Sequence, residues 1–140
     1  LGPFAHGYTY AGHPVASAVA LEVIKIYEEM DVVGRVKSIS PTFMGALEQH
    51  GDHPLIGDIR GAGLICGIEL MRDGVARVPF DTDLKVAERF QENALKHGLI
   101  PRTVGGRLVF APPLIITESE IAEMSDRFGR ALDDTWAEIR

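Results

Sequence analysis

The stretch from Gly7 to Pro14 carries the residue types in this chain that are best suited to holding a negatively charged group. It reads Gly-Tyr-Thr-Tyr-Ala-Gly-His-Pro, so two glycines enclose three consecutive hydroxylated residues. Glycine lets a backbone turn and approach a ligand closely, and proline is favoured at the first position of a helix. Hydroxyls beside the free N–H groups of a helix start form an anion site, most often for phosphate. These residues alone leave a second interpretation open, an ordinary tight turn that caps a helix.

Arg102 is the second residue whose setting suggests chemistry. It ends an extended segment, directly after Pro101 and shortly before the glycine pair at 105–106. A guanidinium group presented from such a position can bind a carboxylate through two parallel hydrogen bonds. From composition alone, a solvated arginine at the end of a strand is the more common occurrence, so the residues themselves do not decide between the two interpretations.

Cysteine and histidine are not placed for catalysis or metal binding. Cys66 is the single cysteine and lies in the apolar run 64–70, which is typical of a small buried hydrophobic residue. A lone cysteine forms no internal disulfide, which favours a reducing compartment, and we expect a cytoplasmic protein. His50 and His53 flank a loop without a third ligand at a suitable spacing, so a solvated turn is expected and no metal site.

Length and charge limit the classes of partner. The chain has 140 residues, 46% of them hydrophobic and 24% charged, as in one globular domain with a real core. A formal net charge of -6 argues against nucleic acid and against an anionic membrane, because both require basic patches. No apolar run of membrane length and no signal peptide are visible. The chain begins without methionine, within a loop, so we expect either a processed product or part of a longer protein.

Hydrophobic periodicity predicts two helices in the first third of the chain. The first covers residues 14–30 and contains alanines that permit close packing. Asp31 can cap the second, which is expected to end by residue 50. Pro41 lies inside this second pattern, and because proline removes a backbone donor we expect a bend there, with Ser40 as a new cap.

The centre of the chain changes to the period of strands. Residues 56–60 and 64–70 read as two strands joined by a glycine-containing turn, which is typical of a hairpin. Arg60 and Glu69 either pair across this hairpin or stay separately solvated. The glycine pair at 105–106 marks a second hairpin with a two-residue turn.

Two more helices are expected in the second half. Asp81 or Asp83 can cap a helix over residues 84–97, and Thr117 with Glu120 forms a capping box that begins the last helix. Helices that follow and flank short antiparallel strands predict an α+β fold, a small antiparallel sheet covered by helices.

The opening stretch resembles a segment of the class III aminotransferases, the pyridoxal-phosphate enzymes of the omega-amino acid and amine transaminase group. Residues 6–14 are similar to that family's His-Gly-x-Thr-Tyr-x-Gly-His-Pro, with Ala11 where the family often has serine. Residues 58–64 resemble the Asp-x-Arg-Gly-x-Gly-Leu hairpin that opens the family's small C-terminal domain, and residues 98–124 resemble its closing region. The similarity covers nearly the whole chain, but only the last part of such an enzyme.

The resemblance implies roles for three residues. The hydroxyl of Thr9 and the backbone of Tyr8 would bind the phosphate of pyridoxal 5'-phosphate carried by the neighbouring subunit, and Arg102 would bind the substrate carboxylate. The lysine that forms the Schiff base would lie upstream of this chain. No catalytic residue is therefore expected within it, and the isolated chain is expected to be inactive.

The resemblance also implies an architecture and partners. Residues 1–31 would be the cofactor-phosphate loop and an interdomain helix at the end of the large domain. Residues 32–140 would be the C-terminal small α+β domain of a fold-type I transferase dependent on pyridoxal phosphate. The intact protein would form a homodimer or homotetramer through the N-terminal loop. It would transfer an amino group from an amine or omega-amino acid to a keto acid such as pyruvate.

Two other interpretations stay open. A free-standing, non-catalytic α+β module for binding or assembly would be a monomer with a closed surface, whereas the transaminase interpretation predicts an exposed apolar face on the first helix. An aminomutase or a decarboxylase on the same scaffold would share these motifs, because its substrate choice depends on pocket residues outside this chain.

Overall fold

The structure, a computed structural model, describes residues 6–140, so the first five residues of the predicted N-terminal segment 1–31 lie outside the described part. Within residues 6–140 there are four α-helices and one four-stranded antiparallel sheet, and the predicted α+β class is confirmed. The chain forms two compact units, residues 1–35 and 36–140. The assignment of residues 1–31 to a large domain and of 32–140 to a small one stays a prediction.

Helices and strands alternate irregularly along the chain. In chain order they are α1 (Pro14–Glu29), α2 (Val32–Glu48), β1 (Ile56–Ala62), β2 (Ile65–Leu70), a short 3-10 helix (Thr82–Leu84), α3 (Val86–Lys96), β3 (Arg102–Val104), β4 (Arg107–Phe110) and α4 (Glu118–Ile139). The strands lie in the order β1-β2-β4-β3, and every neighbouring pair is antiparallel. Both predicted hairpins, β1–β2 and β3–β4, are therefore present.

The first unit contains α1, which leaves its apolar side chains in solvent. Along α1, all of which the structure describes, no residue is buried. Val15 and Leu21 are 65% and 69% exposed, and Ile24 is 55% exposed. A contiguous apolar surface of this kind usually marks an interaction site, and the transaminase interpretation predicted such a face.

The core of the second unit lies on one face of the sheet. Alternate residues of β2 and β4 are buried, and the register pairs Cys66 with Phe110 and Ile68 with Leu108, so these four side chains share a face. Side chains of the helices complete the same cluster: Ile39, Phe43 and Leu47 from α2, Val86, Ala87, Phe90 and Ala94 from α3, and Ile121, Phe128, Ala131 and Leu132 from α4. Helices therefore cover one face of a small antiparallel sheet, as expected.

Cys66 is fully buried at the centre of this core, as predicted for a small hydrophobic residue. Burial raises the pKa of its thiol to about 11, and the nearby charge of Glu48 adds to the effect. Because the thiolate is the reactive form, this residue is chemically inert at neutral pH.

Helix α2 continues from Val32 to Glu48 through Pro41, so no new helix begins at Ser40, and the bend expected there stays a prediction. Ser40 does not cap a new helix, since its hydroxyl donates to the carbonyl of Gly63 at 2.9 Å. An internal proline costs about 3 kcal/mol. The unbroken helix buries the side chains of Phe43 and Leu47 completely, and burying two such side chains is worth roughly 3–6 kcal/mol. The packing therefore outweighs the local penalty.

The start of α3 also differs from the prediction. Neither Asp81 nor Asp83 forms a side-chain cap within the described structure, and α3 begins at Val86 instead of residue 84. A short 3-10 helix precedes it, and Lys85 then adopts a left-handed conformation with φ 47°. This backbone conformation separates the 3-10 helix from α3, so the two do not merge into one helix.

Arg60 and Glu69 do not pair across the hairpin, which was one of the two arrangements that the sequence left open. The strand register places Glu69 opposite Asp58, and Arg60 contacts Asp58 at 2.6 Å instead. Glu69 accepts hydrogen bonds from Arg77 and Arg107, each at 2.9 Å. The register, which the sequence pattern did not specify, therefore determines these partners.

The capping predictions based on short-range signals are confirmed. The side chain of Asp31 accepts from the N–H of Gly34 at 3.2 Å at the start of α2. At the start of α4, Glu120 N–H donates to the Thr117 hydroxyl and Thr117 N–H donates to the Glu120 carboxylate, which is a complete capping box.

Two half-buried histidines at the end of α2 contact α4. His50 Nε2 lies 2.9 Å from Ser125 Oγ, and the His50 ring packs edge-on against Phe128 at 5.1 Å between centroids. His53 Nε2 lies 3.6 Å from a carboxylate oxygen of Asp133. Burial lowers the pKa of both imidazoles, and the negative charge of Asp133 only partly offsets this effect. The predicted turn is present and its residues 51 and 52 are exposed, but the two histidine side chains are half-buried instead of solvated.

We expect the free energy of unfolding of this chain to decrease as the pH falls below 6.5. The unfolded imidazoles titrate near 6.5, whereas the folded ones have lower pKa values. At pH values between the folded and the unfolded pKa, the unfolded state binds more protons than the folded state. Acidification therefore favours the unfolded state. Urea unfolding at a series of pH values from about 8 to 5 measures the effect, and the double variant His50→Gln, His53→Gln should show a shallower dependence. An equal dependence in both proteins would contradict this assignment.

Candidate functional site

The loop before α1 is a tight double turn. The carbonyl of Tyr8 accepts a hydrogen bond from the N–H of Ala11 at 2.9 Å, and the carbonyl of Tyr10 accepts one from His13 at 3.0 Å. Gly12 has a φ of 74°, a conformation that a residue with a Cβ rarely adopts. The chain thereby turns sharply between Tyr8 and the start of the helix, and the aromatic side chains project from the turn.

The start of α1 is capped by the loop itself. Pro14 occupies the first turn, as predicted, and the imidazole Nδ1 of His13 accepts from the N–H of Ala16 at 3.3 Å. One of the free helix-end donors expected from the sequence is therefore already used. Sequence reasoning missed this role of His13, since histidine is not among the residues that favour the N-cap position. An anion at this site would therefore contact the donors of the loop more than the N–H groups at the start of α1.

Several donors of the loop stay available. The Thr9 hydroxyl and the N–H groups of Thr9 and Tyr10 have no hydrogen-bond partner within residues 6–140. Tyr8 and Tyr10 are 73% and 76% exposed. Space also surrounds the turn, because a Cβ built on Gly12 would have no atom within 4 Å. Exposed hydroxyl and N–H donors match a group that only accepts hydrogen bonds, such as phosphate.

Arg102 begins β3 with its side chain exposed. Within the part of the chain that the structure describes, its guanidinium group has no hydrogen bond and no ion pair. Arg107, the other arginine of this hairpin, is bound to the carboxylate of Glu69 through its Nε at 2.9 Å. The two arginines are therefore not equivalent, and Arg102 is the one whose five donors are free for an external carboxylate. Tyr8 and Thr9 belong to the unit 1–35 and Arg102 to the unit 36–140.

Other classes of site find no support in the described residues. Among residues 6–140 there is no group of three or more histidine, cysteine, aspartate or glutamate side chains that could hold a metal ion. None of the described helices has the length and apolar character that a membrane-spanning segment requires.

Comparison with known proteins decides the family. The family model described as Aminotransferase class-III matches residues 1–132. The chain belongs to the class III aminotransferase family. The resemblance predicted from residues 6–14, 58–64 and 98–124 is thus confirmed, and a class III aminotransferase is expected to depend on pyridoxal phosphate.

Similar aminotransferase sequences come from plants and bacteria. The chain is 42% identical over 135 residues to gamma aminobutyrate transaminase 3, chloroplastic, of Solanum lycopersicum, which covers 96% of the chain and 26% of that protein. It is 40% identical over 139 residues to putrescine–pyruvate aminotransferase of Pseudomonas aeruginosa, with 99% and 30% covered. The chain therefore spans between a quarter and a third of the length of these relatives.

Similar solved structures of aminotransferases confirm the fold. A PMP-bound aminotransferase from Vibrio fluvialis matches with a TM-score of 0.90 and 36% identity, covering 99% of this chain and 30% of that one. A thermostable omega transaminase six-fold mutant from Pseudomonas jessenii matches with a TM-score of 0.85 and 42% identity, covering 96% and 30%.

Proposed function

We propose that this chain is the C-terminal part of an aminotransferase that transfers an amino group from an amine or omega-amino acid to a keto acid such as pyruvate. The observation that carries the proposal is the family match over residues 1–132, which includes both the donor-rich loop and Arg102. The relatives named for gamma-aminobutyrate and putrescine support this substrate class, since both compounds carry a terminal primary amine.

The loop is proposed to hold the cofactor phosphate. Pyridoxal phosphate, when bound, supplies the electron sink for amino transfer. The Thr9 hydroxyl and the backbone N–H of Tyr8 would donate to its phosphate oxygens. Support comes from the free Thr9 donors and from the open space at Gly12. In the proposed homodimer or homotetramer, this phosphate belongs to the neighbouring subunit, so each copy completes the site of another.

Arg102 is proposed to orient the substrate. Its guanidinium group would bind the carboxylate of the keto acid through two parallel hydrogen bonds, which fixes the position of the carbonyl carbon next to it. The absence of a partner for Arg102 within the described residues supports this role, because no internal carboxylate has to be displaced first.

The Schiff-base lysine is proposed to lie outside this chain. The four lysines of the chain are exposed and lie in or beside helices: Lys25, Lys37, Lys85 and Lys96. A lysine that forms a Schiff base needs a pocket that lowers its pKa or shields it from water. We therefore expect the isolated chain to bind and orient without catalysing the reaction. The apolar face of α1 would be covered by a large domain of the intact protein.

The proposed location is the cytoplasm. The buried, unpaired Cys66 is consistent with a reducing compartment. The bacterial relative favours this location, whereas several plant relatives are named as chloroplastic or mitochondrial.

The reaction is tested with the intact protein that contains this chain. Purified protein supplied with pyridoxal phosphate, pyruvate and either putrescine or gamma-aminobutyrate is expected to form alanine, while the isolated chain forms none. Release of carbon dioxide or an amino shift within one substrate, without alanine, would favour the decarboxylase or aminomutase alternative. A monomeric intact protein that binds no cofactor would favour a non-catalytic module.

The phosphate role of Thr9 predicts a loss of cofactor affinity. Replacing Thr9 by alanine in the intact protein should raise the dissociation constant for pyridoxal phosphate about tenfold, because a hydrogen bond to a charged group is worth roughly 1.5–3 kcal/mol. Titration of the apoprotein, followed by absorbance, measures this constant. Thr9→Ser keeps the hydroxyl and should bind normally. Tyr8→Phe is the matched control, since the proposal assigns only its backbone. Equal losses in Thr9→Ala and Tyr8→Phe would contradict the assignment.

A further inference from the structure

β3 is a very short strand at the edge of the sheet. Its three residues pair with β4 on one side, Arg102 opposite Val109, Thr103 opposite Leu108 and Val104 opposite Arg107. In the sheet order, no strand of the described chain lies on its other side. A short edge strand has few backbone hydrogen bonds to define its register. The two-residue turn at 105–106 sets the register of β3 with β4, and contacts to the helices can reinforce it.

The direction of Arg102 depends on that register. Side chains alternate along β3, so Thr103 is partly buried while Arg102 and Val104 are exposed. A slip of one residue would exchange the two faces and bring the guanidinium group to the side that Thr103 now occupies. The exposed, unpaired state of Arg102 thus requires that Thr103 stay on the inner side.

A side-chain hydrogen bond holds Thr103 on the inner side. The hydroxyl of Thr103 donates to the side-chain carbonyl oxygen of Gln91 on α3 at 3.2 Å, in a partly buried setting. The turn before β3 is fixed as well, because Arg127 of α4 donates through Nη1 to the carbonyl of Gly98 at 2.7 Å. The segment 98–104 is therefore attached to two of the three helices that cover the sheet, α3 and α4, whereas the Arg102 side chain itself stays free.

We propose that Thr103 and Gln91 are positioning residues for the carboxylate of the amino acceptor, acting through the hydrogen bond that keeps Arg102 on the exposed face of β3. This inference rests on the proposed carboxylate-binding role of Arg102. It assigns the two residues no contact with substrate. Its consequence is selective: binding of acceptors with a carboxylate depends on the Thr103–Gln91 hydrogen bond, and binding of acceptors without one does not.

The test uses the intact protein and two amino acceptors, pyruvate, which carries a carboxylate, and propanal, which does not. Thr103→Val keeps the branched shape and removes the hydroxyl, and Gln91→Leu removes the acceptor. Each variant should raise the KM for pyruvate about fivefold, the effect of one ordinary hydrogen bond, with kcat and the kinetics of propanal nearly unchanged. Thr103→Ser should restore the KM for pyruvate. Thr42→Val, which removes an exposed hydroxyl from α2, is the matched control. It should leave the KM for pyruvate and the kinetics of propanal unchanged.

The double variant Arg102→Ala, Thr103→Val separates this inference from the proposed function. If Thr103 acts through Arg102, adding Thr103→Val to Arg102→Ala should cause no further rise in the KM for pyruvate. If Arg102→Ala raises the KM for pyruvate but not for propanal, and Thr103→Val and Gln91→Leu raise neither, the positioning role alone is overturned. If Thr103→Val raises the KM for pyruvate and for propanal equally, Thr103 has only a structural role and the positioning role is overturned. If Arg102→Ala does not raise the KM for pyruvate more than the KM for propanal, the proposed role of Arg102 itself is refuted.

Discussion

In the intact protein, replacing Arg102 by alanine is expected to raise the KM for pyruvate about a hundredfold, because each charge-assisted hydrogen bond contributes roughly 1.5–3 kcal/mol and 1.36 kcal/mol corresponds to a factor of ten. The guanidinium group is exposed and has no partner within residues 6–140, so its full donor set is available to the substrate. The amine donor without a carboxylate should bind as before. Steady-state kinetics with pyruvate and with propanal measure the difference.

Two further variants sharpen this prediction. Arg102→Lys keeps the charge but loses the planar fork, so it should recover only part of the affinity for pyruvate. Arg107→Ala removes the neighbouring arginine of the same hairpin, whose Nε is bound to Glu69, and should leave the KM for pyruvate unchanged. A larger loss in Arg107→Ala than in Arg102→Ala would reverse the assignment of the two arginines.

The second expected result concerns stability. Replacing Phe128 by alanine should lower the free energy of unfolding of the chain by about 3–5 kcal/mol, the range for large-to-small changes of buried phenylalanines. The Phe128 side chain is fully buried. Its ring makes edge-to-face contacts with His50, Phe90 and Phe110 at centroid distances of 5.1, 5.6 and 5.2 Å. These contacts join α4 to the end of α2, to α3 and to β4, so the cavity would open where four elements meet.

Urea unfolding of the 140-residue chain measures the effect. Leu95→Ala is a suitable control, because Leu95 lies on α3 with 52% of its side chain exposed and should change stability by about 0.5 kcal/mol or less. Phe128→Leu keeps part of the side-chain volume, so its loss of unfolding free energy should lie between those of Leu95→Ala and Phe128→Ala. A loss below about 1 kcal/mol in Phe128→Ala would mean that the surrounding side chains collapse into the vacated space.

Elements defined by short-range signals could be predicted from the sequence. The capping box at Thr117 and the glycine pair at 105–106 each specify their local backbone within a few residues, and the structure contains both. Arg102 could be identified in the sequence for a related reason, since it stands shortly before the glycine turn of a recognisable hairpin. Its role as a carboxylate-binding residue, like that of Thr9 in binding phosphate, stays a prediction.

Features that depend on long-range packing could not be predicted. The passage of α2 through Pro41 is decided by buried side chains that meet the sheet, and the partners of Glu69 are decided by strand register. The Thr103–Gln91 hydrogen bond joins residues of a strand and a helix whose contact exists only in the folded chain. Local patterns contain no information about which elements will lie against each other.

The buried thiol at the centre of the sheet has a practical consequence for spectroscopy. With a pKa of about 11, Cys66 is ionised in about one molecule in a thousand at pH 8, and its side chain is enclosed on every side. Maleimide dyes and nitroxide spin labels should therefore leave it unmodified in the folded state. A second cysteine introduced at an exposed position of the hairpin could then be labelled alone, without first removing the native one.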